Sequence, residues 1–324
     1  MSKSEGPAPL IEEPVLLVGT TRSGTTLLSL MLDHHPAISF AGEFEWVWDF
    51  MPGVAAPPLE DYYAWLRTNR HFLHHGLEID RSLDFAGQAR RFLADMRVQK
   101  DPGLVSSRVG VQVHRHYTLA NQVWPRARFI HIVRDGRDVA ASWIKFGWLG
   151  NAYVAAQRWN AALIEWDHAK KDIEEERRIE LRFEDLIADP TGQLARLTEF
   201  LGVDYDEAML RYHEDTTYSP VDSGQGGKWR KSLTPRDLAL FERFSGHQLE
   251  RHGYALSGAP TYDDKPWSPA LLELDDRVRH NRARIRNLGP GLWLAEHLSR
   301  RLRSRTLRDA VATRVNALEN ARIQ

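Results

Sequence analysis

Val15-Leu16-Leu17-Val18-Gly19-Thr20-Thr21-Arg22-Ser23-Gly24-Thr25-Thr26-Leu27-Leu28 is the stretch that decides the fold. Its first four residues form a short apolar run closed by Gly19, which suits a strand buried on both faces of a parallel sheet. From Thr25 to His34, residues Leu27, Leu28, Met31 and Leu32 share one helical face, and Pro36 stands beyond the end. A strand, a small polar loop and a helix in this order fold backbone N–H groups around an anion, and the helix adds its positive dipole end. Gly24 lets the backbone approach such an anion closely. The spacing is that of the triphosphate loop G-x-x-x-x-G-K-[ST], except that Thr25 stands where the lysine belongs. Without that lysine on the β- and γ-phosphates, Mg²⁺-nucleoside triphosphate chemistry is poorly served. The cation here, Arg22, lies inside the loop and suits a smaller anion, such as a phosphosulfate. A plain strand-to-helix turn without a ligand would leave a Ser, a Gly and two threonines in a row unexplained.

A second strand–turn–helix pattern runs from Phe129 to Trp143, with the sequence FIHIVRDGRDVAASW. Arg134 falls at the carboxyl end of its strand, where open α/β sheets bind ligands. Ser142 lies eight residues on, about two turns at 3.6 residues per turn, so it can share the side of Arg134. An arginine and a hydroxyl so placed can grip a phosphate by charge-assisted hydrogen bonds. Alone, R-D-G-R-D also describes ordinary surface ion pairs; the first loop gives it weight.

Around these two motifs the chain alternates strands and helices. Val109–Val113 and Ile179–Phe183 are further strands, and the helix from about 151 to 173 carries Ala155, Trp159, Ala162, Trp166, Ala169 and Ile173 as one apolar stripe. Residues 59–98 and 191–201 are also helical, and Gly202 stops the latter. The expected fold is α/β, a P-loop-like parallel sheet of about four or five strands covered by helices on both faces, with a helical C-terminal extension. Residues 1–13 read as a disordered leader, 52–58 as a loop, 14–257 as the main domain and 258–324 as a basic helical extension. In that extension arginines are many and acids few between Arg277 and Arg314. It reads as a solvated helical segment packed on the domain or on a second copy, or else as a contact to an acidic carrier protein or a membrane surface.

Composition narrows the classes further. The 324 residues are 42% hydrophobic and 27% charged, enough for one large core, and the net charge of −1 gives no global pull toward nucleic acid. With no cysteine, disulfides, thiolate catalysis and sulfur-bound zinc drop out, and a reducing cytoplasm is the default location. No apolar run approaches the roughly 20 residues that span a bilayer. Eleven tryptophans are expected mostly in the core, with some lining an apolar acceptor pocket.

The two anion motifs carry a family resemblance. TTRSGTT followed by LLSLMLDHHP resembles the 5′-phosphosulfate loop of sulfotransferases that use 3′-phosphoadenosine 5′-phosphosulfate (PAPS), and IHIVRDGRDVAASW resembles their 3′-phosphate motif. Arg182-Phe183-Glu184-Asp185-Leu186 looks like their R-Y-E-D-L segment, with Phe183 where many members have Tyr. Gly226-Gly227-Lys228-Trp229 resembles their late glycine/lysine loop. The RSGTT form is similar to the bacterial, tyrosylprotein and carbohydrate branches. The resemblance implies that Thr21, Arg22, Ser23, Gly24, Thr25 and Thr26 bind the 5′-phosphosulfate. It also implies that Arg134, Ser142, Gly227 and Lys228 hold the 3′-phosphate, with Trp229 a candidate platform for adenine or else a packing residue. The product is then 3′-phosphoadenosine 5′-phosphate (PAP).

Transfer of a sulfuryl group is an in-line displacement that needs a base near the acceptor hydroxyl and a cation near the bridging oxygen. Arg22 is the cation candidate, and no metal is required in principle. For the base, Glu43 follows the loop helix at the spacing of the family's catalytic glutamate, and burial between Phe44, Trp46 and Trp48 would raise its pKa. His114 and His116, after the second strand, are the rivals, and they also read as half a weak metal site. His71, His74 and His75 are expected at the surface of a helix. The competing functions are a P-loop nucleotide kinase and a silent nucleotide-binding module. The expected partner is a small-molecule or carrier-bound hydroxyl acceptor, with no nucleic acid.

Overall fold

In the computed structural model, Val15–Val18 forms β1, the central strand of a five-stranded sheet. The structure describes residues 9–51, 58–100, 108–258 and 268–301, together with 310, 311, 313–315 and 318. The other strands are β2 Ile38–Glu43, β3 Arg108–Val113, β4 Arg128–Val133 and β5 Arg178–Arg182. Their order is β2-β3-β1-β4-β5, and every pairing is parallel. The chain leaves β1 toward one edge and β4 toward the other, which makes the crevice at the carboxyl ends of these neighbours the topological switch point.

Contact density divides the chain into two units, residues 1–134 with 161–226, and residues 135–160 with 227–324. The first holds the sheet and helices α1 Thr25–Asp33, α2 Leu59–Leu66, α3 Arg70–His75, α4 Phe85–Lys100 and α5 Tyr117–Val123. The second opens with α6 Gly136–Phe146, and α7 Ala152–Ala169 spans the division. Helices α8 Phe183–Ala188 and α9 Pro190–Leu201 return to the first unit. Helices α10 Trp229–Ser232, α11 Pro235–Arg251, α12 Pro269–Leu288 and α13 Pro290–Arg301 belong to the second. The segment after 258 thus groups with 135–160 and 227–258.

Period-two alternation sorts the sheet's side chains between two cores. Leu16, Val18, Val111, Val113 and Phe129 pack with α4, α5 and Trp166 on one face. Val15, Leu17, Ile130 and Ile132 pack with α1, α8 and α9 on the other. The α7 stripe is buried as its periodicity predicts at Ala155, Trp159, Trp166 and Ala169, while Ala162 is partly exposed. Within the expected leader, residues 9–13 are tied down, because the Trp124 indole donates to the Ile11 carbonyl at 2.8 Å and Glu12 pairs with Arg90 at 3.1 Å. Residues 1–8 and 52–57 lie outside the described residues, as does most of the chain beyond 301.

The sequence reading did not anticipate β2. Only its first three residues are buried, and ISFAGE lacks a β-branched run, so neither periodicity nor propensity announces an edge strand. Packing supplies what propensity lacks, since the Phe40 ring lies across Gly110 on β3, its register partner. Beyond Phe40 the register slips: three steps along β2, from Phe40 to Glu43, oppose two along β3, from Gly110 to Gln112. This β-bulge contains Gly42 at φ 93° and re-aims the end of the strand, so that Glu43 sits opposite Gln112.

A Cβ at Gly110 would lie 2.6 Å from the Phe40 ring. Gly110→Ala is therefore expected to cost about 1–3 kcal/mol by overpacking, read as a lower midpoint in urea unfolding. Gly110→Ala with Phe40→Leu should recover part of that loss.

Candidate active site

The loop after β1 is built from unusual backbone. Arg22 has φ 71° and Gly24 φ 101°, both in the left-handed region, and Ser23 ties the turn by donating its N–H at 3.1 Å and its Oγ at 2.7 Å to the Thr20 carbonyl. A left-handed conformation is strained for arginine and is tolerated where function requires it. Gly24 is the N-cap of α1 and brings no side chain to it, and the first turn holds no acidic residue, so the positive dipole end of the helix faces the loop. A side chain at Gly24 would also strike Phe183, whose ring would lie 2.3 Å from a Cβ there.

Arg134 leaves the end of β4 and crosses to this loop. Its guanidinium donates to the Arg22 carbonyl at 3.3 Å and to the Gln225 carbonyl at 2.9 Å, and it lies 4.3 Å over the Phe183 ring. Burial, and then the charge of Arg134, push Arg22 below the usual arginine range, while Tyr218 pulls the other way. Arg22 stays charged at any working pH. A strained arginine inside the loop, the helix N-terminus behind it and Arg134 nearby form a donor set for a polyanion, and they fit the anionic groups of PAPS.

The two rival base candidates converge. The His114 Nδ1 lies 2.9 Å from the Gly19 carbonyl, at the start of the phosphate loop, and its Nε2 lies 3.8 Å from Glu43 Oε1. That second separation is an ion-pair distance rather than a hydrogen bond. The imidazole is buried, whereas the Glu43 side chain is 56% exposed. Burial alone would lower the His114 pKa, but Glu43, Glu45 and the Gly19 carbonyl outweigh it and raise it. His116 takes no part in this pair. It begins α5 in a left-handed conformation at φ 61° and caps no N–H with its side chain.

The apolar surroundings expected for Glu43 belong to Glu45 instead. Glu43 closes an edge strand in solvent, while Glu45 opens a short 3₁₀ turn, Glu45–Trp48, in which every residue is buried. Burial pushes the Glu45 carboxyl up, and the nearby Glu43 charge adds to this. Its Oε2 is buried with no hydrogen-bond partner. The Ala41-Gly42-Glu43-Phe44-Glu45 segment signalled a carboxylate near a base, but only the bulge decides which of its two glutamates is exposed. Phe44, Trp46, Trp48 and Trp124 pack on one another in the core rather than lining an open pocket. His71 and His75 are not simply surface residues, because both stack on Trp46.

The rest of the second motif lies in the second unit. Ser142 is half-buried on α6, and Lys228 is exposed at the N-cap of α10. The D-G-R-D part of the motif makes structural contacts that its sequence does not reveal. Arg137 is 2% exposed and makes a bidentate pair with Asp135 at 2.9 and 2.7 Å, and it reaches Glu242 at 2.7 Å. Burial works against the Arg137 charge, but Asp135 and Glu242 outweigh it. Asp138 accepts from the backbone N–H groups of Gly227 at 2.7 Å and Trp229 at 2.6 Å, which latches the late glycine/lysine loop. The Trp229 ring is buried under the guanidiniums of Arg137 at 4.0 Å and Arg230 at 4.4 Å. These contacts give the ring a packing role under the loop. Among the described residues no group of three His, Asp or Glu side chains is placed to hold a metal ion, and no helix is long and apolar enough to cross a membrane.

Comparison with known proteins agrees with this architecture. The sulfotransferase domain of the curacin biosynthetic pathway superposes with a TM-score of 0.50 at 17% identity, covering 76% of this chain and all of that one, a likeness of fold alone. Protein-tyrosine sulfotransferase A of Caenorhabditis elegans is 24% identical over 279 residues, 78% of this chain and 70% of its own. Protein-tyrosine sulfotransferase 1 of Danio rerio is 27% identical over 303 residues, 82% and 78% of the two chains. Omega-hydroxy-beta-dihydromenaquinone-9 sulfotransferase Stf3 of Mycobacterium bovis is 31% identical over 152 residues, 41% of this chain and 37% of its own. The family model for the sulfotransferase family matches residues 14–207 and takes in both β1 with its loop and β4 with Arg134. More than half of the chain is thereby accounted for, and it belongs to the sulfotransferase family, enzymes that draw their sulfuryl group from PAPS.

Proposed function

We propose that this chain transfers the sulfuryl group of PAPS to an acceptor hydroxyl, on a small molecule or a carrier-bound chain, with Glu43 as general base and Arg22 facing the bridging oxygen. The observation that carries the assignment is the placing of His114 between the Gly19 carbonyl and the Glu43 carboxylate. Bound PAPS supplies an activated sulfuryl group. The residues Thr21 to Thr26 hold its 5′ end, and Arg134, Ser142, Gly227 and Lys228 are assigned to its 3′-phosphate residue by residue from the family motifs.

Geometry favours Glu43 over His114 as the group that takes the acceptor's proton. Both imidazole nitrogens are already engaged, one at Gly19 and one at Glu43, and the ring is buried. Glu43 is the exposed member and can meet an incoming hydroxyl. A protonated His114 then serves as a positioning residue, holding the carboxylate at the end of the β2 bulge and tying it to the loop that carries Arg22. Glu45 supports that imidazolium by its charge. Arg22 is permanently cationic, so it stabilises growing charge on the leaving phosphate without giving up a proton. The kinase alternative would need a lysine where Thr25 stands. The cysteine-free composition suits a reducing compartment.

Calorimetric titration with PAP, with Mg²⁺-ATP as the comparison, tests the cofactor. PAP should bind, and Arg134→Ala should weaken it about 10- to 100-fold, the loss of charge-assisted hydrogen bonds. Binding of Mg²⁺-ATP alone would sink the reading. In an acceptor screen followed by PAP release, Glu43→Gln should lower turnover by about 10²–10⁴ and leave PAP affinity near that of the parent.

The His114–Glu43 pair can be tested without any substrate. The folded state holds the His114 proton more tightly than the unfolded chain does. The pair's stabilisation is therefore complete below the unfolded imidazole value, about 6.5, and is lost as pH rises through the folded value. NMR titration of the His114 ring should give a midpoint above that unfolded value, and Glu43→Gln should lower it. An unchanged midpoint would show that the two groups are not coupled.

A further inference from the structure

Helix α12 is amphipathic in the reverse sense to a helix that only packs on a domain. The side that meets the second unit is held mainly by polar contacts. The Asp276 Oδ1 accepts from the N–H groups of Gly150 at 2.7 Å and Asn151 at 3.1 Å. Asn287 donates to the Phe146 carbonyl at 3.2 Å, Arg279 reaches Asp237, and Leu272 is the apolar residue buried there. Leu271, Leu274 and Val278 are 55%, 55% and 41% exposed, and Ile285 is partly exposed. Spacings of three, four and seven residues place these four on one stripe, roughly opposite Asp276, Ala283 and Asn287. Helix α13 adds Leu294 and Leu298, 51% and 45% exposed and one turn apart.

Charge indicates what covers this stripe. Residues 277–301 contain seven arginines and one acid, Glu296, which is itself paired with Arg284 at 2.6 Å. Arg277, Arg282 and Arg286 are exposed on either flank of the stripe. The acids nearest to it are engaged within the chain: Asp275 with Asn151 and Arg279, Asp276 with the backbone at 150 and 151, and Glu273 with Arg277. A second copy placed on this face would set arginines against arginines with few acids to answer them. An apolar stripe flanked by cations instead matches an anionic lipid surface, where leucines enter the acyl boundary and guanidiniums meet phosphates.

We propose that the exposed face of α12, Leu271-Leu274-Val278-Ile285 with Arg277, Arg282 and Arg286, docks this chain onto an anionic bilayer surface without crossing it. The test is flotation of the full-length protein with phosphatidylcholine vesicles, with and without phosphatidylglycerol. Binding is expected only with phosphatidylglycerol present, and it should weaken as salt rises. Leu271→Ser with Leu274→Ser should weaken it at least about tenfold. Each of Arg282→Gln and Arg286→Gln should weaken it by about fivefold. Being exposed, these positions should leave the circular dichroism spectrum and melting midpoint at parent values.

Failure to float with phosphatidylglycerol vesicles at low salt would overturn the proposal. So would leucine variants that float like the parent, or binding to soluble polyglutamate that displaces the vesicles and ignores the leucines, which would mark an acidic protein partner. Light scattering completes the test, because a dimer dissociated by the leucine substitutions would make this face a contact between copies.

Discussion

An arginine whose guanidinium lies against the backbone of a second, partly buried arginine forms an arrangement a protein does not adopt for stability alone. Burial raises the cost of the Arg22 charge, and the charge of Arg134 adds to it. The structure holds them there by backbone, Arg22 through a left-handed turn and Arg134 through hydrogen bonds to the Arg22 and Gln225 carbonyls. The polyanion proposed to bind here would reverse the sign of this balance, turning the repulsion into shared attraction beside the positive dipole end of α1. The parallel pairing of β1 with β4 makes this proximity unavoidable, because both loops leave the sheet at the same end.

The same loop also constrains the base. Gly19 follows β1, and its carbonyl fixes the His114 ring, so the orientation of the imidazole follows the position of the loop after β1. The far nitrogen of the ring then faces Glu43, delivered from the opposite edge by the β2 bulge. Cation loop and carboxylate are thus connected through one buried imidazole. In this arrangement the buried imidazole links the loop to an exposed carboxylate, the geometry on which the proposed role of Glu43 rests.

Both strand–loop–helix motifs, four of the five strands and the helical stripe of α7 were legible in the sequence, because each rests on local pattern. What escaped depended on distant partners. The strand β2 is held by Phe40 lying over Gly110, some 70 residues away, and ISFAGE carries no trace of that partner. The exchange of surroundings between Glu43 and Glu45 follows from one extra residue in a bulge, which spacing arguments cannot register. His71 and His75 looked solvent-facing until Trp46 supplied a ring for them to stack on.

Phe183 shows how a departure from a family pattern can be read from its contacts. Where many sulfotransferases have a tyrosine, this chain has a ring without a hydroxyl, which suggests a missing cofactor contact. The ring nevertheless fills the space beside Gly24 and carries the Arg134 guanidinium on its face at 4.3 Å. Those contacts need an aromatic face and no polar atom. The ring therefore packs against both loops at once, beside the left-handed glycine and under the arginine. A smaller aliphatic side chain here would loosen the two loops together, which is why the aromatic character, rather than the hydroxyl, is the feature the fold requires at this position.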